Sequence, residues 1–213
     1  MQTDDLIRSL AGDVAPIAPH ALQQRIAVGI AGGAVVTLIL ILLGLGVRPD
    51  LTDALHGFSF WMKALYTATI AVGAILATVH LARPDAMRGK SSLWLLLPVA
   101  ALSAIAANQL LHVPQSERLA LWLGQSWRMC SALVLLYSLP IFAGLLWAFR
   151  RMAPTRLRSA GAAAGLASGA CAATIYSLHC PEVSAAFVLT WYSLGIGLAA
   201  ALGAFTGPRL LRW

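Results

Sequence analysis

The sequence predicts an all-α integral membrane protein with six transmembrane helices, antiparallel neighbours and both termini in the cytoplasm. Three observations predict it. Of 213 residues, 59% are hydrophobic and only 11% are charged, where an ordinary soluble domain carries about a quarter charged residues. The apolar residues gather into six runs, at about 26–47, 58–81, 93–111, 128–149, 159–178 and 185–206, each near the roughly 20 residues that cross a hydrocarbon core as a helix. The 15 basic residues are shared unevenly between the two faces that these runs define. The connections are short and polar, with no room for a second folded domain. The chain therefore divides into a cytoplasmic arm, 1–25, and a six-helix membrane domain, 26–213.

The basic residues set the orientation. With the N-terminus inside, the inner segments hold Arg8, Arg25, Arg83, Arg88, Lys90, Arg150, Arg151, Arg156, Arg158, Arg209 and Arg212, and the outer ones only Arg48, Lys63, Arg118 and Arg128. Lys and Arg concentrate on the cytoplasmic side of membrane proteins, so both termini are expected in the cytoplasm of a bacterial inner membrane. Trp61, Trp122 and Trp127 fall at outer boundaries and Trp94, Trp147 and Trp213 at inner ones, as amphipathic rings do at headgroup level. The net charge of +7 then belongs to membrane topology and needs no nucleic-acid partner.

In chain order, the arm opens with Thr3, Asp4 and Asp5. A hydroxyl can cap free N–H groups, and acids favour the positive end of a helix. Leu6, Ile7 and Leu10 follow on one face at helical spacing. Gly12, Pro16 and Pro19 stop the helix and extend the linker. About two turns of helix are too short to be stable alone. The arm is either a tail frayed or lying on lipid, or a helix that folds when it docks on a partner. No convincing small-residue cleavage site follows the first run, so that run is expected to be a retained span.

Gly29 and Gly33 in the first run, and Gly161, Gly165 and Gly169 in the fifth, are small residues four apart, extended by Ala173. Such ridges let helix backbones approach closely, here within the bundle in preference to a homodimer. Pro98 and Pro140 are expected to kink the third and fourth spans. In the connection 112–127, Ser116 is expected to cap a short interfacial helix bearing Leu119, Trp122 and Leu123.

The chemistry concentrates on the outer face. Cys130 opens the fourth span, and Cys180 closes the fifth within His179-Cys180-Pro181-Glu182. His56, His112, Glu117 and Met129 fall on the same face, His20 and His80 on the inner one, and Cys171 about two turns deep. Outside a bacterial inner membrane, paired thiols tend to oxidise, and Arg128 near Cys130 favours a thiolate. The same thiols with His179, and more weakly His112, Glu182 or Met129, could instead hold copper(I), zinc or cadmium. They could also be two small buried hydrophobes, as Cys171 is expected to be. Lys63 near the outer end of the second span either snorkels to the headgroups or pairs with Glu182 or Asp53 across the rim. No C-x-x-C motif, nucleotide-binding loop or pair of histidines one helical turn apart is present. An enzyme is therefore not expected. A membrane thiol oxidoreductase coupled to quinone and a small metal transporter are the alternatives.

The sequence resembles the NrsF family of six-span membrane anti-sigma factors, negative regulators of an extracytoplasmic-function sigma factor. The resemblance runs over the full chain. It is carried by Thr3-Asp4-Asp5-Leu6-Ile7, Arg48-Pro49-Asp50-Leu51, Phe60-Trp61-Met62-Lys63-Ala64-Leu65-Tyr66 and Trp127-Arg128-Met129-Cys130. Ser138-Leu139-Pro140, His179-Cys180-Pro181-Glu182, Trp191-Tyr192-Ser193-Leu194-Gly195 and the basic end Arg209–Trp213 complete it. It implies that the arm, through Asp4, Asp5, Leu6, Ile7 and Leu10, sequesters the sigma factor. It also implies that two outward-facing cysteines, matched by Cys130 and Cys180, are needed for the response to oxidative or heavy-metal stress.

Overall fold

The structure, a computed structural model, describes Thr3, Asp5, residues 20–82 and 95–150, Met152 and residues 154–212. Among the described residues the protein is helical, without strands. The helices are α1 (Ala21–Gly44), α2 (Leu51–His56), α3 (Phe58–Leu81), α4 (Leu96–His112), α5 (Gln115–Leu123), α6 (Trp127–Phe149), α7 (Leu157–Tyr176) and α8 (Ala185–Leu210). Of the arm, Thr3 and Asp5 are helical and exposed; Asp4, Leu6, Ile7 and Leu10 lie outside the described residues.

Four helical stretches are long and apolar enough to cross a membrane: Ala21–Gly44, Phe58–Leu81, Gln115–Phe149 and Ala185–Leu210. The expectation is six. α4 falls short in length, with 17 residues. α7 has 20 residues, but Ala and Gly fill most of it. That composition dilutes its apolarity for a structural reason: α7 is the central helix, packed against α3, α6 and α8. The outside of the bundle is apolar, with Leu43, Phe205, Phe58 and Leu97 all well exposed, as suits a molecule whose solvent is lipid.

Small residues bring backbones together at two seams. A Cβ added at Gly161 would collide with the carbonyl of Gly203, one at Gly165 with that of Ala199, and one at Gly203 with that of Gly161. The fifth-run ridge is thus consumed by α8 of the same chain. Gly29 meets Gly144, and Gly33 meets Ile141 and Pro140, which joins α1 to α6. Thr37 adds a hydrogen bond across this seam, donating to the Tyr137 carbonyl at 2.9 Å, in the turn that Pro140 interrupts.

Two expectations are corrected. Pro98 lies in the first turn of the described part of α4, where it interrupts no helical hydrogen bond among the described residues. The short helix α5 exists, but its N-cap is Pro114, with Ser116 inside the first turn. α8 carries a feature that periodicity does not reveal, a π turn over Val188–Tyr192.

The helix ends alternate. The Arg48 N–H after α1 donates to the Leu178 carbonyl after α7 at 3.2 Å, and Gln109 near the end of α4 accepts from the Ala185 N–H at the start of α8 at 2.9 Å. Lys63, near the start of α3, and Ser126, at the start of α6, also bond the 180–182 segment. The connections 45–57, 113–126 and 177–184 therefore meet at one end of the bundle, and the site lies there.

Candidate functional site

At that end Cys130 and Cys180 come together. Cys130 is fully buried in the first turn of α6; Cys180 is fully buried in the connection after α7. Both are free thiols, near enough for each to act on the other. Two local features set this up. The α7 backbone tightens at its end, with the Cys180 N–H bonded to the Tyr176 carbonyl at 3.1 Å, and Pro181 then forces an extended exit. On the other side, Ser126 ends the turn after α5 and starts α6.

Glu182 ties the two halves. Its Oε1 accepts from the Gln125 N–H at 2.7 Å, the Ser126 N–H at 3.0 Å and the Ser126 hydroxyl at 3.0 Å. The carboxylate therefore occupies the N-terminus of α6, whose positive end favours an anion. Gly124 makes the approach possible. Its φ of 61° lies in the left-handed region that glycine adopts without strain, and a Cβ there would strike Glu182 Oε2 at 2.6 Å.

Lys63 reaches the same segment from α3. It is fully buried, and its ammonium donates to the carbonyls of Cys180 at 2.9 Å and Glu182 at 2.6 Å. Neither expected form of Lys63 holds. The side chain does not snorkel, and it meets the main chain of Glu182, because the Glu182 carboxylate is engaged at α6. Among the described residues the one ion pair is Arg48–Asp50, at 2.6 Å. Arg48 also donates to the Cys180 carbonyl at 3.5 Å. The hydrogen bond between them raises the Arg48 guanidinium and lowers the Asp50 carboxyl below its usual range. The Cys180 thiol, outside the helices, is held below the ordinary thiol range. A hydrogen shared from Cys130 is the first cause, and the Tyr192 hydroxyl and the Lys63 charge act in the same direction against burial.

An aromatic shell closes the end of the bundle. Trp191 packs on Trp122 and Trp127, with ring centroids 5.8 and 5.5 Å apart. Its indole N–H donates to the Trp122 carbonyl at 3.2 Å, and the Trp122 N–H to Thr190 at 3.0 Å. The π turn supplies this geometry, and Ser131 of α6 fastens it by donating to the Trp191 carbonyl at 2.7 Å. π turns are often found at functional sites. Next in the turn, Tyr192 is wholly buried. Its hydroxyl has no hydrogen-bond partner among the described residues and lies near the Cys180 thiol.

The remaining candidates lie apart from the thiols. His179 bonds the Gly46 carbonyl at 3.0 Å and packs on Tyr176. His112 is exposed and bonds the Asn108 carbonyl at 2.8 Å. Met129 is 59% exposed. Among the described residues no three His, Cys, Asp or Glu side chains converge as a metal-binding group. The residues fit a two-sulfur site with cationic neighbours better than a multidentate cage. An apolar groove of about 320 Å³ between α3 and α4 is lined by Phe58, Trp61, Met62, Tyr66, Pro98 and Leu102 among others; neither thiol lines it. Lys63, Arg48 and Tyr192 stood in motifs that the sequence displays, but only the fold shows that they converge on Cys180.

No solved structure matches the chain. The family model described as "Negative regulator of sigma F" matches residues 10–213. Two curated relatives match end to end. One, named a probable anti-sigma-F factor NrsF, from Azospira oryzae, is 41% identical over 213 residues and covers 100% of both chains. The other, the anti-sigma-F factor NrsF of Caulobacter vibrioides, is 41% identical over 216 residues, again with 100% of both chains covered. With matches of this extent, the chain belongs to the NrsF family.

Proposed function

We propose that this protein is a membrane-embedded anti-sigma factor of the bacterial inner membrane, with six spans and both termini in the cytoplasm. Its N-terminal arm sequesters an extracytoplasmic-function sigma factor, and the Cys130–Cys180 pair at the periplasmic end senses oxidative or heavy-metal stress. The observation that carries the regulatory reading is end-to-end similarity to proteins named as anti-sigma-F factors. The meeting of two free thiols at one end of the bundle supports the sensor. The eleven-to-four division of basic residues supports the orientation.

In this reading Leu6, Ile7 and Leu10 bury in a groove of the sigma factor, while Asp4 and Asp5 compete for its basic surface. Chemistry at the thiols, by oxidation or by capture of a soft metal ion, must favour a state in which the arm binds more weakly. A difference of about 3 kcal/mol weakens docking roughly a hundredfold.

The test is transcriptional. Deleting residues 2–20 while the membrane domain inserts normally makes the sigma-dependent regulon constitutively active. Unchanged transcription refutes the arm's role. The single variants Cys130→Ser and Cys180→Ser each lose the response to oxidant or metal; a full response in either refutes the two-thiol sensor.

A further inference from the structure

We propose that Lys63 is the positioning residue that makes Cys180, and not Cys130, the reacting sulfur of the pair. The inference rests on the thiol-sensing reading above and deepens it by assigning unequal roles to the two cysteines.

The argument starts from the buried ammonium. Removing a lysine charge from water is costly unless it finds hydrogen bonds and a counter-charge. Lys63 is fully buried, and its two bonds are to the carbonyls of Cys180 and Glu182. Carbonyls satisfy its protons but carry no net charge. Glu182 spends its carboxylate on the start of α6. Of the other cations at this end, Arg48 is neutralised by Asp50 through bonds of 2.8 and 2.6 Å, and Arg128 is exposed, lying over the Trp127 ring at 5.3 Å. Among the described residues Lys63 is therefore the buried cation at this end without an ion-pair partner, and it is bonded to the main chain of Cys180.

Cys130 stands in the opposite situation. In the first turn of α6 it would ordinarily gain from the positive helix end, which favours a thiolate. The Glu182 carboxylate already occupies that end and opposes a second negative charge. The charge pattern therefore puts the negative sulfur at Cys180 and leaves Cys130 as the thiol that shares its hydrogen. The groups facing Cys180 are Lys63 from α3, Arg48 after α1, Cys130 from α6, Tyr176 from α7, Tyr192 from α8, and Glu182 in its own connection.

The test is alkylation of the full chain in lipid nanodiscs with iodoacetamide, read peptide by peptide by mass spectrometry. The Cys180 sulfur displaces iodide and gains the carbamidomethyl group. In the unmodified chain Cys180 is labelled before Cys130, an order read without any variant; labelling of Cys130 first overturns the proposal. In Lys63→Met the neutral-pH rate at Cys180 falls roughly three- to tenfold, because a smaller thiolate fraction outweighs the greater intrinsic reactivity of a less acidic thiol. Its pH midpoint moves up, and Lys63→Arg restores both. A purely structural Lys63 predicts the opposite: faster labelling at both cysteines with the midpoint unmoved, which overturns the proposal. Cys171 is the internal gauge of folding. Should its labelling jump in Lys63→Met, Lys63→Gln and the order in the unmodified chain decide. The labelling is indifferent to any sigma factor. Lys63-dependent labelling beside a stress response that needs neither cysteine keeps this inference and sinks the sensor; the reverse pattern sinks this inference alone.

Discussion

Replacing Glu182 by alanine removes the carboxylate that fastens the connection after α7 to the start of α6. Three hydrogen bonds to a single carboxylate oxygen disappear, from the Gln125 N–H, the Ser126 N–H and the Ser126 hydroxyl. Each charge-assisted bond is worth about 1.5–3 kcal/mol when nothing replaces it. Gln125 is exposed and water can take over there, whereas loss of a helix cap in proteins costs about 0.5–2 kcal/mol. A net of about 2 kcal/mol follows, taking the upper part of the cap range because the lost acceptor is charged. The loss is local, so the assay is amide hydrogen exchange on the peptide spanning residues 125–131. Protection there falls about thirtyfold, the equilibrium equivalent of 2 kcal/mol, while the α7–α8 seam keeps its protection. Glu182→Gln keeps an acceptor oxygen and loses about half as much. Unchanged protection in Glu182→Ala refutes the cap, and a uniform loss over every helix refutes its local character.

Other perturbations have equally definite outcomes. Gly165→Leu drives a side chain into the Ala199 backbone and costs about 3 kcal/mol or more, read as loss of folded protein in detergent melts; Gly32→Ala, with nothing within 4 Å of the new Cβ, gains about 0.5–1 kcal/mol. Thr37→Val removes the bond to the Tyr137 carbonyl and lowers stability by about 0.6–1 kcal/mol, measured by the same melts. Arg48 depresses the Asp50 carboxyl, so its contribution is present above the unfolded carboxylate pKa and is lost as pH falls through the lower folded value. An acid titration of stability shows that loss in the wild type, and Asp50→Asn lacks it. Cys171→Ala leaves the order and rate of labelling at Cys130 and Cys180 unchanged.

Much of the architecture is legible in the chain because lipid imposes a one-dimensional rule. The helix Phe58–Leu81 covers the same residues as the second apolar run, and the ridge Gly161–Gly165–Gly169 marks one of the two seams where helix backbones touch. That Cys130 and Cys180 share one end of the bundle follows from counting helix ends; that the two thiols adjoin does not. What counting misses is set by side-chain reach in three dimensions. Lys63 had a carboxylate, the headgroups and the main chain all within plausible reach. The carbonyls won because Glu182 gains more at the N-terminus of α6. The π turn at Val188–Tyr192 is silent in a sequence because a span that is apolar nearly all round has no periodic pattern for one extra residue to offset. His179, beside Cys180 in the chain, turns to Gly46; adjacency in sequence says little about direction after a tight turn. The sigma-binding face proposed for Leu6, Ile7 and Leu10 lies outside the described residues.

The glycine seam has a mechanical consequence. Where the backbones of α7 and α8 touch, carbonyl against α-carbon, no flexible side chains remain to act as a bearing. Sliding one helix along the other would force each Cα ridge over the next, so the two move together as a stiff beam. α7 alone is about 30 Å long, and a rotation of about 3° about one end swings the other by about 1.5 Å. A bundle built this way converts a small angular disturbance at one rim into a displacement of atomic size at the opposite rim.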